Sequence, residues 1–121
     1  MSFEQLSTRI LADQSRIRSN VIRRGRISEE EFDKFIEASK NISEYPLLID
    51  ETPAITIAAL SNRARRVKRL SGLEMIVIDY IQLMRGTNSY DGRVQEISEI
   101  TQGLKALAKE LSVPVVALSQ L

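Results

Sequence analysis

The sequence predicts an α/β fold, a parallel sheet flanked by helices. Apolar periodicity alternates between helix and strand along the chain, in the order α, α, β, α, β, α, β. Such alternation implies parallel strands joined by right-handed crossovers. The run "LEMIVID", 73–79, is almost continuously apolar; a strand without alternation is one buried on both faces, as in a parallel sheet. Gly and Pro are scarce, 5 and 3 of 121 residues, so long disordered segments are not expected.

The chain opens with Ser2 and Gln5 spaced as a capping box, followed by Phe3, Leu6, Ile10, Leu11 and Ile17 at helical intervals, which predicts a helix over 3–19. Gly25 interrupts it. Ser28 and Glu31 form a second box, with Ile27 and Phe32 placed as a hydrophobic staple, and predict a helix over 29–41 that turns Phe32, Phe35 and Ile36 inward. "YPLLIDE" predicts a short buried strand at 46–50. Thr56 suits the cap of a helix over 57–70 with Leu60, Ala64 and Val67 on one face, closed by Gly72. The strand 73–79 follows. "GTNSYDGR", 86–93, is a loop by composition. Val94, Ile97, Ile100, Leu104, Leu107 and Leu111 recur at steps of three and four and predict a helix over 93–111; "VPVVALSQ", 113–120, is the last strand. The expected organisation is one domain over 1–121, helical over 1–45 and strand–helix–strand–helix–strand over 46–121.

Composition bounds the chemistry. The chain has no Cys and no His, which excludes disulfides, thiol nucleophiles, Cys/His zinc sites and imidazole catalysis. A net charge of +1 gives no global argument for a nucleic-acid or membrane partner. No apolar run approaches the ~20 residues of a membrane span and no signal-peptide pattern opens the chain, so the cytoplasm is the expected location.

Asp79 is the first candidate. Open parallel sheets bind ligands at the carboxyl ends of their strands. A carboxylate there, after an apolar run, has the placement of a Walker B acid that holds Mg²⁺ beside nucleotide phosphates; an ordinary strand end has the same appearance. Gln120 ends the last strand at the same edge, where an amide can donate to a phosphate oxygen and accept from water. Ser119 shares that place, and for both a plain polar strand end is the alternative. "NRARRVKRL", 62–70, sets Arg65, Arg66 and Arg69 on adjoining sides of a helix, to meet phosphates or simply to be solvated. The segment 85–93, with Arg85, Asn88, Tyr90 and Arg93, has the cations and aromatic that track single-stranded DNA, or is a connector. One absence weighs against a self-sufficient site: none of the five glycines (Gly25, Gly72, Gly86, Gly92, Gly103) begins the G-x-x-x-x-G-K-[ST] cradle that holds phosphates.

"LEMIVIDYIQLMRG" together with "EISEITQGLKALAKELSVPVVALSQL" closely resembles the C-terminal ATPase domain of DnaB-type bacterial replicative DNA helicases. "MSFEQLSTRILADQSRI" and "LLIDETPAITIAALSNRARRVKR" fit the same pattern, so the resemblance covers essentially the whole chain. It implies a RecA-like, P-loop NTPase fold. It implies homohexameric rings that move along single-stranded DNA using ATP and Mg²⁺, with primase or a helicase loader as further partners. By resemblance Asp79 is the Walker B acid, holding Mg²⁺ through water, and Gln120, beside Ser119, senses the γ-phosphate. The resemblance further implies that the loop 86–93 would face the ring's channel, where Arg85, Asn88 and Arg93 are the candidate nucleic-acid residues.

The resemblance also implies a middle slice of that domain, truncated at both ends: the phosphate loop and catalytic glutamate precede it, and the arginine finger and main DNA-binding loop follow it. The isolated chain is then expected to be inactive. The three strands would not be neighbours in the family sheet, so the slice would join them non-natively or pair them with another chain. A non-enzymatic module that binds helicase subunits is the alternative, and a related RecA-like recombination or clock ATPase a weaker one.

Overall fold

The protein is described by a computed structural model covering residues 2–86 and 92–121. It divides into two compact units, Met1–Glu51 and Thr52–Leu121.

The first unit is helical. Helix α1, Phe3–Ser15, starts at the Ser2–Gln5 capping box, and α3, Glu29–Ser43, starts at the Ser28–Glu31 box. Between them lies the short α2, Ser19–Arg24, closed by Gly25 at φ +69°. The helix expected over 3–19 is therefore two. Arg16 adopts a left-handed conformation at φ 61°, which ends α1 and lets the chain turn while Ile17 is buried. The expected inner face of α3 is also corrected. Phe32 and Ile36 are exposed, and the buried residue of α3, which packs on α1, is Ala38. Residues 46–50 form no strand, and Leu47 and Leu48 are 51% and 70% exposed. An apolar run marks affinity for a covered surface, whereas a strand also needs a neighbour to complete its backbone bonds.

The second unit holds the α/β part. Helix α4, Ile57–Leu70, is capped by Thr56, whose hydroxyl accepts from the Ala59 amide at 3.1 Å. Strand β1, Ile76–Ile78, leads into a 3₁₀ turn, Ile81–Leu83, then α5, Arg93–Leu111, and strand β2, Val115–Ala117. β1 and β2 pair directly and in parallel, in the register Ile76↔Val115, Val77↔Val116 and Ile78↔Ala117. The two strands are thus direct neighbours within this chain, and residues 46–50, the third strand expected, take no part in the sheet. A further parallel bridge joins Thr56 to Arg85.

The core gathers Ile57, Ile78, Ile81, Met84, Ile100 and Leu104, and next to it Ala64, Leu107, Leu111 and Val113. Ile76 and Val115 pack against it, whereas Val77 is 59% exposed. β1 thus alternates, rather than being buried on both faces as expected, because within this unit the core lies on one side of the sheet. Of the stripe expected on α5, Ile100, Leu104, Leu107 and Leu111 are buried, and Val94 at the first turn is 78% exposed.

Candidate functional site

The parallel register brings the carboxyl ends of both strands to one edge. Asp79 follows β1 there, and Ser119 and Gln120 extend beyond β2; all three are exposed. The backbone around Asp79 is fixed by one residue of the neighbouring strand. The Leu118 amide donates to the Ile78 carbonyl at 2.9 Å, and the Ile81 amide donates to the Leu118 carbonyl at 2.8 Å. Asp79 and Tyr80 lie between these anchors, joined by a cis peptide bond. The Asp79 carboxylate is thus presented at the strand end by a backbone bonded before and after it.

Gln82, in the 3₁₀ turn, ties this edge together. Its Nε2 donates to Ser119 Oγ at 2.7 Å and to the Gln120 carbonyl at 3.1 Å, while its Oε1 accepts from the Gln120 amide at 3.2 Å. Nothing in "IDYIQLM" marks this residue, because its partners lie 37 and 38 positions away. Sequence reasoning therefore missed it.

The two arginines expected at a nucleic-acid surface are both engaged with the turn. Arg93 donates through Nη2 to the Gln82 carbonyl at 2.5 Å and through both Nη atoms to the Met84 carbonyl at 3.3 Å. Arg85 donates to the Met84 carbonyl at 3.1 Å. Arg93 also pairs with Glu96, which accepts from the Gly86 amide at 3.2 Å. These bonds, the Arg93 guanidinium first and the Gly86 amide second, hold the Glu96 carboxyl below the usual carboxylate range. Asn88 and Tyr90 lie outside the described residues. Along the basic helix, Arg65 forms a two-point pair with Glu110 at 2.6 and 3.0 Å, and Lys68 donates to the Leu73 carbonyl at 3.2 Å; Arg66 and Arg69 are exposed.

Among the described residues no three acidic side chains cluster as a metal cage. A lone exposed carboxylate suits Mg²⁺ nevertheless, since that ion keeps several waters and takes only one or two carboxylates beside substrate phosphates. An acid and an amide on one sheet edge are also the two polar functions a phosphate–metal pair requires: a negative group for the metal, and a donor for a phosphate oxygen. No helix of the described residues is long and apolar enough to cross a membrane.

A family described as DnaB-like helicase C terminal domain matches residues 1–121, the whole chain. The chain belongs to the DnaB-like helicase C-terminal domain family. It is 51% identical over 121 residues to the replicative DNA helicase DnaB of Rickettsia typhi, and 45% identical over 122 residues to that of Geobacillus stearothermophilus. It spans about a quarter of the length of these curated relatives, 24% and 27%. A solved DnaB-like replicative helicase, described with its interactions with primase, superposes on all of this chain with a TM-score of 0.92 at 30% identity, the chain covering 31% of that one. The fold is therefore that of the RecA-like ATPase domains of DnaB-like helicases. Such a superposition also removes the expectation of a non-native joining of strands: direct pairing of β1 with β2 is compatible with the DnaB-like arrangement.

Proposed function

We propose that this chain is the part of a replicative helicase motor that supplies the metal-holding acid and the phosphate-reading amide of an ATP site. The complete protein would couple ATP hydrolysis to unwinding of duplex DNA, as a homohexameric ring on single-stranded DNA in the cytoplasm, with primase or a loader as partners. What supports this is the common carboxyl edge of β1 and β2, carrying Asp79 and Gln120, in a chain of the DnaB-like family.

In this proposal Asp79 would hold Mg²⁺ through its water shell, Gln120 donates to the terminal phosphate, and Ser119 lies beside it. When bound, Mg²⁺ neutralises charge developing on the phosphates during attack by water. Asn88 with Arg85 and Arg93 remains the proposed DNA-facing segment. Since Arg93 is already engaged, its part there would be to hold the segment's end.

By itself the chain has no phosphate cradle among its five glycines and is expected to show no ATP turnover. The decisive experiment places residues 1–121 in the G. stearothermophilus helicase in exchange for its matching segment. The hybrid is expected to hydrolyse ATP with Mg²⁺, and Asp79→Asn to lower kcat by about a hundredfold, the scale of a lost metal contact of several kcal/mol. A hybrid that turns over equally well with Asn there would sink the proposal.

A second reading, a module that binds helicase subunits without catalysing anything, is favoured by one observation. Met75, Val77, Val116 and Leu118 leave an exposed apolar surface on and around the strands. Co-elution of the chain with an intact helicase on size exclusion, combined with an inactive hybrid, would favour it.

A further inference from the structure

We propose that Gln82 is a positioning residue: its carboxamide holds Gln120 as a surrogate strand, and its backbone carbonyl passes displacement of Gln120 to Arg93 at the head of α5. The inference rests on the reading of Gln120 as the group that meets the terminal phosphate.

The observation behind it is where the sheet ladder ends. β1 and its extension bond to Leu118 on both sides, through the Ile78 carbonyl and the Ile81 amide. After Ile81 the backbone coils, with the Leu83 amide donating to Tyr80 at 3.1 Å and the Met84 amide to Ile81 at 3.0 Å. It therefore no longer runs beside β2. In a parallel ladder the next residue of β2's extension to face this neighbour is Gln120, two positions beyond Leu118. Both of its backbone groups do find partners, and both partners belong to the Gln82 carboxamide. A side-chain amide offers the same donor and acceptor as a peptide group. Gln82 thus continues the ladder by one step with a side chain and fixes the Gln120 backbone, so that the Gln120 side chain leaves from a held position.

The same residue faces the other way through its carbonyl, which accepts from Arg93 at 2.5 Å and from Arg85 at 3.5 Å. Arg93 binds Glu96, and Glu96 holds the Gly86 amide. An unbroken series of bonds therefore runs from Gln120 through Gln82 to Gly86 and Arg93, which bracket the segment proposed to face DNA. Such a series couples two sites only if it shifts as a unit between states, and that is what the experiment must read.

In the hybrid helicase, Gln82→Met keeps the side-chain length and removes every side-chain hydrogen bond. The expected result is a fall in the ratio of DNA-stimulated to unstimulated ATP turnover by about fivefold or more, the low end of ordinary site-to-site coupling, with the KM for ATP little changed. A ratio within about twofold of the parent, below that same range, overturns the inference if Gln120→Ala has meanwhile abolished turnover. Should Gln120→Ala turn over like the parent, the reading of Gln120 itself fails, and this inference with it. If the Met variant does not assemble, amide exchange on the parent decides. Between a non-hydrolysable ATP analogue and ADP, protection at Gln120, Gly86 and the first turn of α5 should change together; change confined to Gln120 overturns the coupling.

Discussion

The place of Asp79 at the end of β1 was legible because its signal is local: a carboxylate directly after an apolar run. Gln82 was not, because an amide reveals its role only once a partner 37 or 38 residues away is folded against it. Gly103 is a similar case. It sits inside α5, where Ala would ordinarily be better by about 1 kcal/mol. A Cβ there would lie 2.5 Å from Ile57 Cγ1, and Ile57 is a buried core residue at the start of α4. Overpacking of this kind costs about 1–3 kcal/mol, so Gly103→Ala is expected to lower stability on balance; a urea melt at or above the parent's midpoint would refute this. Two surface carboxylates set a pH dependence. Glu96, bonded by Arg93 and the Gly86 amide, and Glu110, bonded by Arg65, are both held below the ordinary carboxylate value in the fold. The unfolded chain therefore takes up their protons first as the pH falls. Their contribution is present above the ordinary carboxylate pKa of about 4.3 and is lost as the pH drops through the folded values. The urea midpoint of a Glu96→Gln/Glu110→Gln variant should fall less between pH 6 and pH 3 than the parent's, and added salt should narrow the difference. Parallel slopes would show that neither pair contributes.

Helices were read from the sequence more closely than strands, and the reason is physical. α4 starts and stops on signals in the residues that flank it, Thr56 before it and Gly72 after it, and α5 is marked by a stripe of its own side chains. A strand is completed by another segment. "YPLLI" has the composition of a strand and no strand partner among the described residues, while β1 and β2 shrink from the apolar runs 73–79 and 113–120 to the residues that pair, Ile76–Ile78 and Val115–Ala117. The orientation of α3 failed for a related reason: periodicity locates an apolar face, but Ala38 rather than Phe32 is the residue that is buried. Because α4's start is fixed by one hydroxyl, Thr56→Ala should cost about 1 kcal/mol, and Thr56→Ser, which keeps the acceptor, much less. Chemical denaturation of the two variants checks this, and equal midpoints would mean that the parallel bridge between Thr56 and Arg85, not the cap, holds the helix start.

At the scale of the molecule, the α/β class and the shared edge of Asp79 and Gln120 followed from the alternation of helix and strand, whereas the division into two units did not. Division depends on where burial concentrates, which a sequence pattern does not rank. Both core clusters, with Ile57, Ile78, Ile81, Met84, Ile100, Leu104, Ala64, Leu107, Leu111 and Val113, fall within Thr52–Leu121. The buried residues of the first unit, among those described, are Ser15, Ile17 and Ala38. Each fully buried aliphatic side chain contributes about 1.5–3 kcal/mol, so the two units should differ in local stability by more than the tenfold change in opening that 1.4 kcal/mol represents. The elements that present Asp79 and Gln120 would then open least and α1–α3 most, as expected where local stability follows buried apolar contact. Native-state amide exchange is the direct measure. Protection in the middle of α5, from Ile100 to Leu107, should exceed that in the middle of α1 by at least tenfold. Protection that is equal in the two helices would refute this ranking of local stability.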